Sequence, residues 1–99
     1  MQRAAAIDRL RSLEAELRAQ GVAALYLFGS TARGDASHAS DVDLLFEVAP
    51  DCRFSLFDQA RLTRQLSERL DTPVDLISRR SLHPLLRAGV EAEQVRVFG

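Results

Sequence analysis

The stretch Leu25-Tyr-Leu-Phe-Gly-Ser-Thr-Ala-Arg-Gly-Asp-Ala-Ser-His-Ala-Ser-Asp-Val-Asp-Leu-Leu-Phe-Glu47 decides the reading of this chain. An apolar run ends in Gly29-Ser30, ten residues intervene, and Asp41-Val-Asp43 opens a second apolar run. A third acid, Asp75, has a similar setting in Val74-Asp-Leu-Ile77. Acids are depleted from strands, and a buried unpaired carboxylate is costly. Three of them in or beside apolar runs need a common counter-charge. A divalent metal that carries a phosphate-bearing ligand supplies it most simply.

Outward from this stretch, strands and helices alternate. Residues 4–19 read as a helix with Ile7, Leu10, Leu13 and Leu17 at helical spacing, stopped at Gly21. Val22 to Phe28 reads as a buried strand, residues 30–33 as one short helical turn, and Gly34 to Ser40 as loop. Asp41 to Val48 is a second strand, broken by Pro50-Asp51. Residues 55–70 read as a helix with Phe57, Leu62, Leu66 and Leu70 toward the core, and Ser55 with Asp58 resembles a capping box. Val74 to Ser78 is a third strand, Ser81 to Ala88 a short helix ended by Gly89, and Gln94 to Phe98 a fourth strand. The expectation is an α/β fold: a single small domain over residues 1–99, with a mixed four-stranded sheet packed against helices mainly on one face.

Bulk composition narrows the function. The 99 residues suffice for one modest core. With 13 basic and 14 acidic residues the net charge is −1, which argues against a protein that coats nucleic acid, and no direct nucleic-acid binding is expected. There is no apolar run of about 18 residues, hence no expected membrane span. The charged, Ala-rich N-terminus lacks a signal-peptide pattern, and the one cysteine, Cys52, has no internal disulfide partner. The cytoplasm fits these features.

The three acids have a common chemistry. Alternate residues of a strand share a face, so Asp41 and Asp43 point the same way, with Cα atoms roughly 6.5–7 Å apart. Such carboxylates suit Mg²⁺, which prefers oxygen ligands. Two ions about 3.5–4 Å apart clamp the attacking and leaving oxygens of an in-line displacement. Asp75 on a neighbouring strand completes the cluster. Gly29 lets the backbone approach a phosphate, and a turn starting at Ser30 aims N–H groups at it. Arg33 can neutralise phosphate charge or pair with Asp35. Glu47 shares the face of Asp41 and Asp43 but lies near the strand end, where solvation is the simpler reading. His38 reads as a surface loop residue and His83 as a structural or partner contact. Arg61, Arg64, Arg79 and Arg80 read as a solvated face, or as a partner-binding patch.

Gly-Ser, ten residues, Asp-x-Asp resembles the signature of the DNA polymerase β-like nucleotidyltransferase superfamily. The blocks Leu27 to Asp35, Ser40 to Glu47, Ser55 to Asp58, Pro73 to Ile77 and Ser81 to Leu85 are similar to its minimal nucleotidyltransferase branch, the MNT or MntA-like antitoxins. The resemblance spans roughly residues 5 to 98, with one mild departure at Thr31, where many relatives are more basic. It implies a polymerase β palm-like fold. It further implies that Asp41 and Asp43 hold two Mg²⁺ ions, while Asp75 helps hold one and takes the acceptor's proton. The implied nucleotide-binding residues are Gly29, Ser30 and Arg33. The implied reaction transfers AMP from ATP to a hydroxyl, a tyrosine in the best-matching branch. A HEPN-domain RNase toxin is the implied acceptor and hetero-oligomeric partner, and this chain its antitoxin. Two rivals accompany that reading: a non-catalytic antitoxin that inhibits by contact, and the catalytic subunit of a small-molecule nucleotidyltransferase.

Overall fold

Four strands rich in apolar side chains form: β1 (Val22–Phe28), β2 (Val42–Val48), β3 (Val74–Ser78) and β4 (Val95–Phe98). The computed structural model describes residues 2–34 and 41–99. The strands form one sheet in the order β3-β2-β1-β4. β1 runs antiparallel to β2 and β4, whereas β2 and β3 are parallel, so the sheet is mixed as expected. On β2, Val42, Leu44 and Phe46 enter the main core, which leaves Asp43, Leu45 and Glu47 for the other face.

The helices are α1 (Arg3–Ser12), α2 (Glu14–Ala19), α3 (Gly29–Arg33), α4 (Leu56–Leu70) and α5 (Pro84–Glu93). Ala6, Leu10, Leu13 and Leu17 join Leu62, Leu66 and Leu70 over one face of the sheet. The parallel pair β2 and β3 is bridged by α4, the long crossover that parallel strands require. No helix among the described residues is long and apolar enough to cross a membrane.

Three features differ from the sequence expectation. The helix over 4–19 is two helices, because the Ser12 hydroxyl donates to the Arg9 carbonyl at 2.6 Å and the Leu13 amide bonds Leu10, only three residues back, at 3.1 Å. Such back-bonding bends a helix. Phe57 does not face the core: it is 87 % exposed. It precedes Leu62 by five residues, which turns it about 140° around a helix of roughly 3.6 residues per turn. The last helix begins at Pro84, not Ser81, and passes through Gly89 to Glu93. Proline suits the first helical position, and the His83 ring nitrogen Nδ1 accepts from the Leu85 amide at 3.1 Å, which makes His83 its cap. Residues 79–81 instead form a single 3-10 turn.

The capping box at Ser55 is formed. The Asp58 amide donates to Ser55 Oγ at 3.1 Å, and the Ser55 amide donates to Asp58 Oδ2 at 2.8 Å. These bonds hold the Asp58 carboxyl below its ordinary pKa, the Ser55 amide contributing most.

α5 is attached differently from the other long helices, since it buries no side chain and leaves Leu85 and Leu86 exposed. Arg79 fastens it. Its guanidinium stacks 4.8 Å from the Tyr26 ring centre and donates to Gln94 Oε1 at 3.0 Å. Glu91 lies 4.0 Å away. Arg79 Nε is 3.2 Å from Glu47 Oε1, close enough for an ion pair but not aligned as a hydrogen bond.

Candidate active site

The candidate site lies where β1 ends and β2 and β3 begin. β1 closes at Phe28, whose partner across the antiparallel ladder is Asp43. Gly29 follows with φ +74°, and α3 starts there. This conformation favours glycine. A second constraint acts at the same residue. A Cβ on Gly29 would overlap Asp43 Oδ2 and stand 3.2 Å from Asp43 Cγ. The missing side chain is therefore the space that the Asp43 carboxylate occupies.

The parallel register pairs Val42 with Val74, Asp43 with Asp75, and Leu44 with Leu76. Paired residues of neighbouring strands point to the same face, with strands roughly 4.8 Å apart. Asp43 and Asp75 are thus brought together on the face opposite the core, as expected. Asp41 lies just before β2 rather than within it, two residues from Asp43 and exposed. Val42 anchors this entry: its amide donates to the Pro73 carbonyl at 3.0 Å, and its side chain is fully buried. Asp75 is exposed between buried Val74 and Leu76. Its placement on the outer face follows from those two flanking contacts.

α3 is docked by its middle. Ala32 joins the core, and Arg3 Nη1 donates to the Ala32 carbonyl at 3.0 Å. Thr31 is buried, and its Oγ1 has no hydrogen-bond partner among the described residues. Ser30 and Arg33 belong to α3 by backbone, but their side chains lie outside the described part, as do Asp35 and His38.

Glu47, a candidate by strand period, lies near the far end of β2 and pairs with Arg79 instead. The four arginines do not form one patch either. Arg61 bonds Asp58 at 2.9 Å and Arg79 is the clamp on α5, which leaves Arg64 and Arg80 exposed and without an ion pair among the described residues. Sequence reasoning missed the Gly29–Asp43 contact, because it depends on register across the ladder and not on spacing along the chain.

Among the described residues, no three His, Cys, Asp or Glu side chains are gathered tightly enough to make a metal centre alone. The donor set of Asp41, Asp43 and Asp75 is nonetheless all oxygen, which fits a hard divalent cation. The cradle left by Gly29 keeps the Asp43 carboxylate at the strand mouth.

Comparison with known proteins agrees with this geometry. The family model described as polymerase beta, nucleotidyltransferase matches residues 12–99. A protein of Methanocaldococcus jannaschii named as a candidate protein adenylyltransferase is 38 % identical over 78 residues, 79 % of this chain and 82 % of that protein. A solved structure of a candidate minimal nucleotidyltransferase superposes with a TM-score of 0.81 at 34 % identity, covering 96 % of this chain and 95 % of the other. A toxin–antitoxin crystal structure with AMP-PNP superposes with a TM-score of 0.77 at 25 % identity, covering 94 % and 73 %. The chain belongs to the polymerase beta nucleotidyltransferase family.

Proposed function

We propose that this nucleotidyltransferase moves AMP from ATP to a hydroxyl, a tyrosine side chain, of a HEPN-type RNase toxin for which it is the antitoxin. The observation that carries the reading is the register that sets Asp43 beside Asp75, with Gly29 against the Asp43 carboxylate. The relative named for protein adenylyltransfer and the toxin–antitoxin neighbour with AMP-PNP support the acceptor class and the nucleotide.

Asp41, Asp43 and Asp75 would hold Mg²⁺, two ions in the full reading. When bound, the metal neutralises phosphate charge and polarises the bond to be broken. The chain's own residues have separate tasks. Gly29 keeps the strand mouth open to the triphosphate, while the α3 backbone, Ser30 and Arg33 supply donors to it. Asp75 accepts the proton of the attacking hydroxyl. The oxygen then attacks the α-phosphorus, the bond to the β-phosphate oxygen breaks, and pyrophosphate leaves.

The test incubates the protein, Mg²⁺ and α-labelled ATP with the candidate toxin. Labelled AMP on the toxin, located by mass spectrometry on a tyrosine, is the expected result. Full inhibition of an unmodified toxin would favour the contact-only antitoxin instead.

A further inference from the structure

The sheet has a second end. Opposite the acids, the C-terminal ends of β2 and β3 meet the start of α4 around a groove of about 740 Å³, lined among others by Phe46, Phe54, Leu56, Arg79 and Arg80. Residues from Asp43 to Val48 span roughly 16 Å at about 3.3 Å per strand residue. The groove is therefore distinct from the nucleotide site. At its rim Leu56 is 83 % exposed, and the neighbouring Phe57 is almost wholly in water. Two large apolar side chains at the first turn of a helix carry a sustained hydration cost that a covering surface would remove.

The uncommitted charges beside the groove are mainly basic. Arg53 and Arg80 are exposed beside the groove, and Arg64 follows Phe57 by two helical turns on the same side of α4. None of the three makes an ion pair among the described residues. The acids beside the groove are mostly committed, Asp58 to Ser55 and Arg61 and Glu47 to Arg79, which leaves exposed Asp51 there and exposed Glu68 one turn beyond Arg64. A second copy of this chain would bring these arginines against one another across a two-fold axis, which is repulsive.

The geometry points to the start of α4 and its groove as a docking surface for the acceptor protein, reached by an acidic segment that presents bulky apolar side chains. This rests on the reading that the acceptor is a protein. Leu56 and Phe57 meet the apolar anchors, and Arg53, Arg64 and Arg80 meet the carboxylates. The face lies at the sheet end away from the acids. Docking there tethers the acceptor without touching the reacting atoms, so it sets KM and not kcat.

The test measures acceptor binding by titration and AMP transfer by steady-state kinetics, for the wild type, Phe57→Ser, Leu56→Ser and Arg64→Glu/Arg80→Glu. Circular dichroism and Mg-ATP affinity serve as folding controls. Either apolar variant should weaken acceptor binding and raise the acceptor KM about tenfold or more, the scale of an interface anchor, with kcat within about twofold. The charge-reversal variant should also flatten the salt dependence of binding. Unchanged acceptor affinity in all three variants overturns the surface while leaving the transfer reading intact. A fall in kcat equal to the change in kcat/KM also overturns it. Wild-type self-association that Phe57→Ser abolishes assigns the face to a second copy. An acceptor that the wild type neither binds nor modifies removes the functional reading and this surface together.

Discussion

Gly29 and Asp43 are fitted to each other: the glycine has no side chain where the aspartate has its carboxylate. A Cβ at residue 29 would overlap Asp43 Oδ2, and the positive φ at Gly29 disfavours any other residue. Gly29→Ala therefore has two effects. It should cost roughly 1 kcal/mol or more of stability through the backbone, and it should displace the Asp43 carboxylate. AMP transfer is expected to fall more than about 100-fold, the scale of losing a positioned catalytic group. Urea unfolding beside single-turnover transfer on the same variant checks both.

Asp43 and Asp75 share a register position but have separate expected fates. Asp41→Ala and Asp43→Ala should abolish transfer, and chelation of divalent metal should do the same to the wild type. Asp75→Asn should keep nearly normal Mg-ATP affinity, because the amide preserves shape and lowers local negative charge. Transfer should still drop about 100-fold or more, since an amide is a poor base. ATP titration and single-turnover kinetics separate the two. Robust transfer by Asp75→Asn would leave the base unassigned.

Asp58 gives a pH dependence far from the site. Its folded-state pKa is depressed, first by the Ser55 amide and then by the Ser55 hydroxyl. A depressed carboxyl stabilises the fold above its unfolded value of 3.8, and that contribution disappears as pH falls through the lower folded value. Ser55→Ala should cost about 1 kcal/mol at neutral pH, the usual loss for an N-cap. It should also return the Asp58 pKa toward the ordinary value, as an NMR titration would read.

Thr31 offers a stabilising substitution. Its hydroxyl is buried with no partner among the described residues. Thr31→Val keeps the branched shape and removes the desolvated group, for an expected gain of about 1 kcal/mol. The denaturation midpoint should rise with an unchanged m-value.

Much of this was legible in the chain because it is local. Gly29, the ten-residue gap and the Asp-x-Asp at the mouth of β2 announce a strand, a turn and a second strand. Leu62, Leu66 and Leu70 mark the buried side of α4, and Ser55 with Asp58 marks its start. What misled was also local. Phe57 looks like a core residue until its angle around the helix is compared with Leu62. Gly89 looks like a stop, yet α5 continues to Glu93. Leu13 continues the apolar spacing while Ser12 bends the backbone beneath it. The Gly29–Asp43 contact, and the role of Arg79, needed the register and the third dimension. Neither is encoded by spacing along one segment.

The clamp at Arg79 decides how the molecule breathes. α5 has no buried side chain, so its hold on the sheet is largely polar, with the Arg79 guanidinium shared among Tyr26, Glu47, Glu91 and Gln94. Polar contacts of this kind weaken with ionic strength, whereas the leucines beneath α4 do not respond that way. The amides of α5 thus belong to the low end of the local opening scale and those of β2 to the high end. Hydrogen exchange should therefore be graded by the kind of force that fastens each helix, and not by its length.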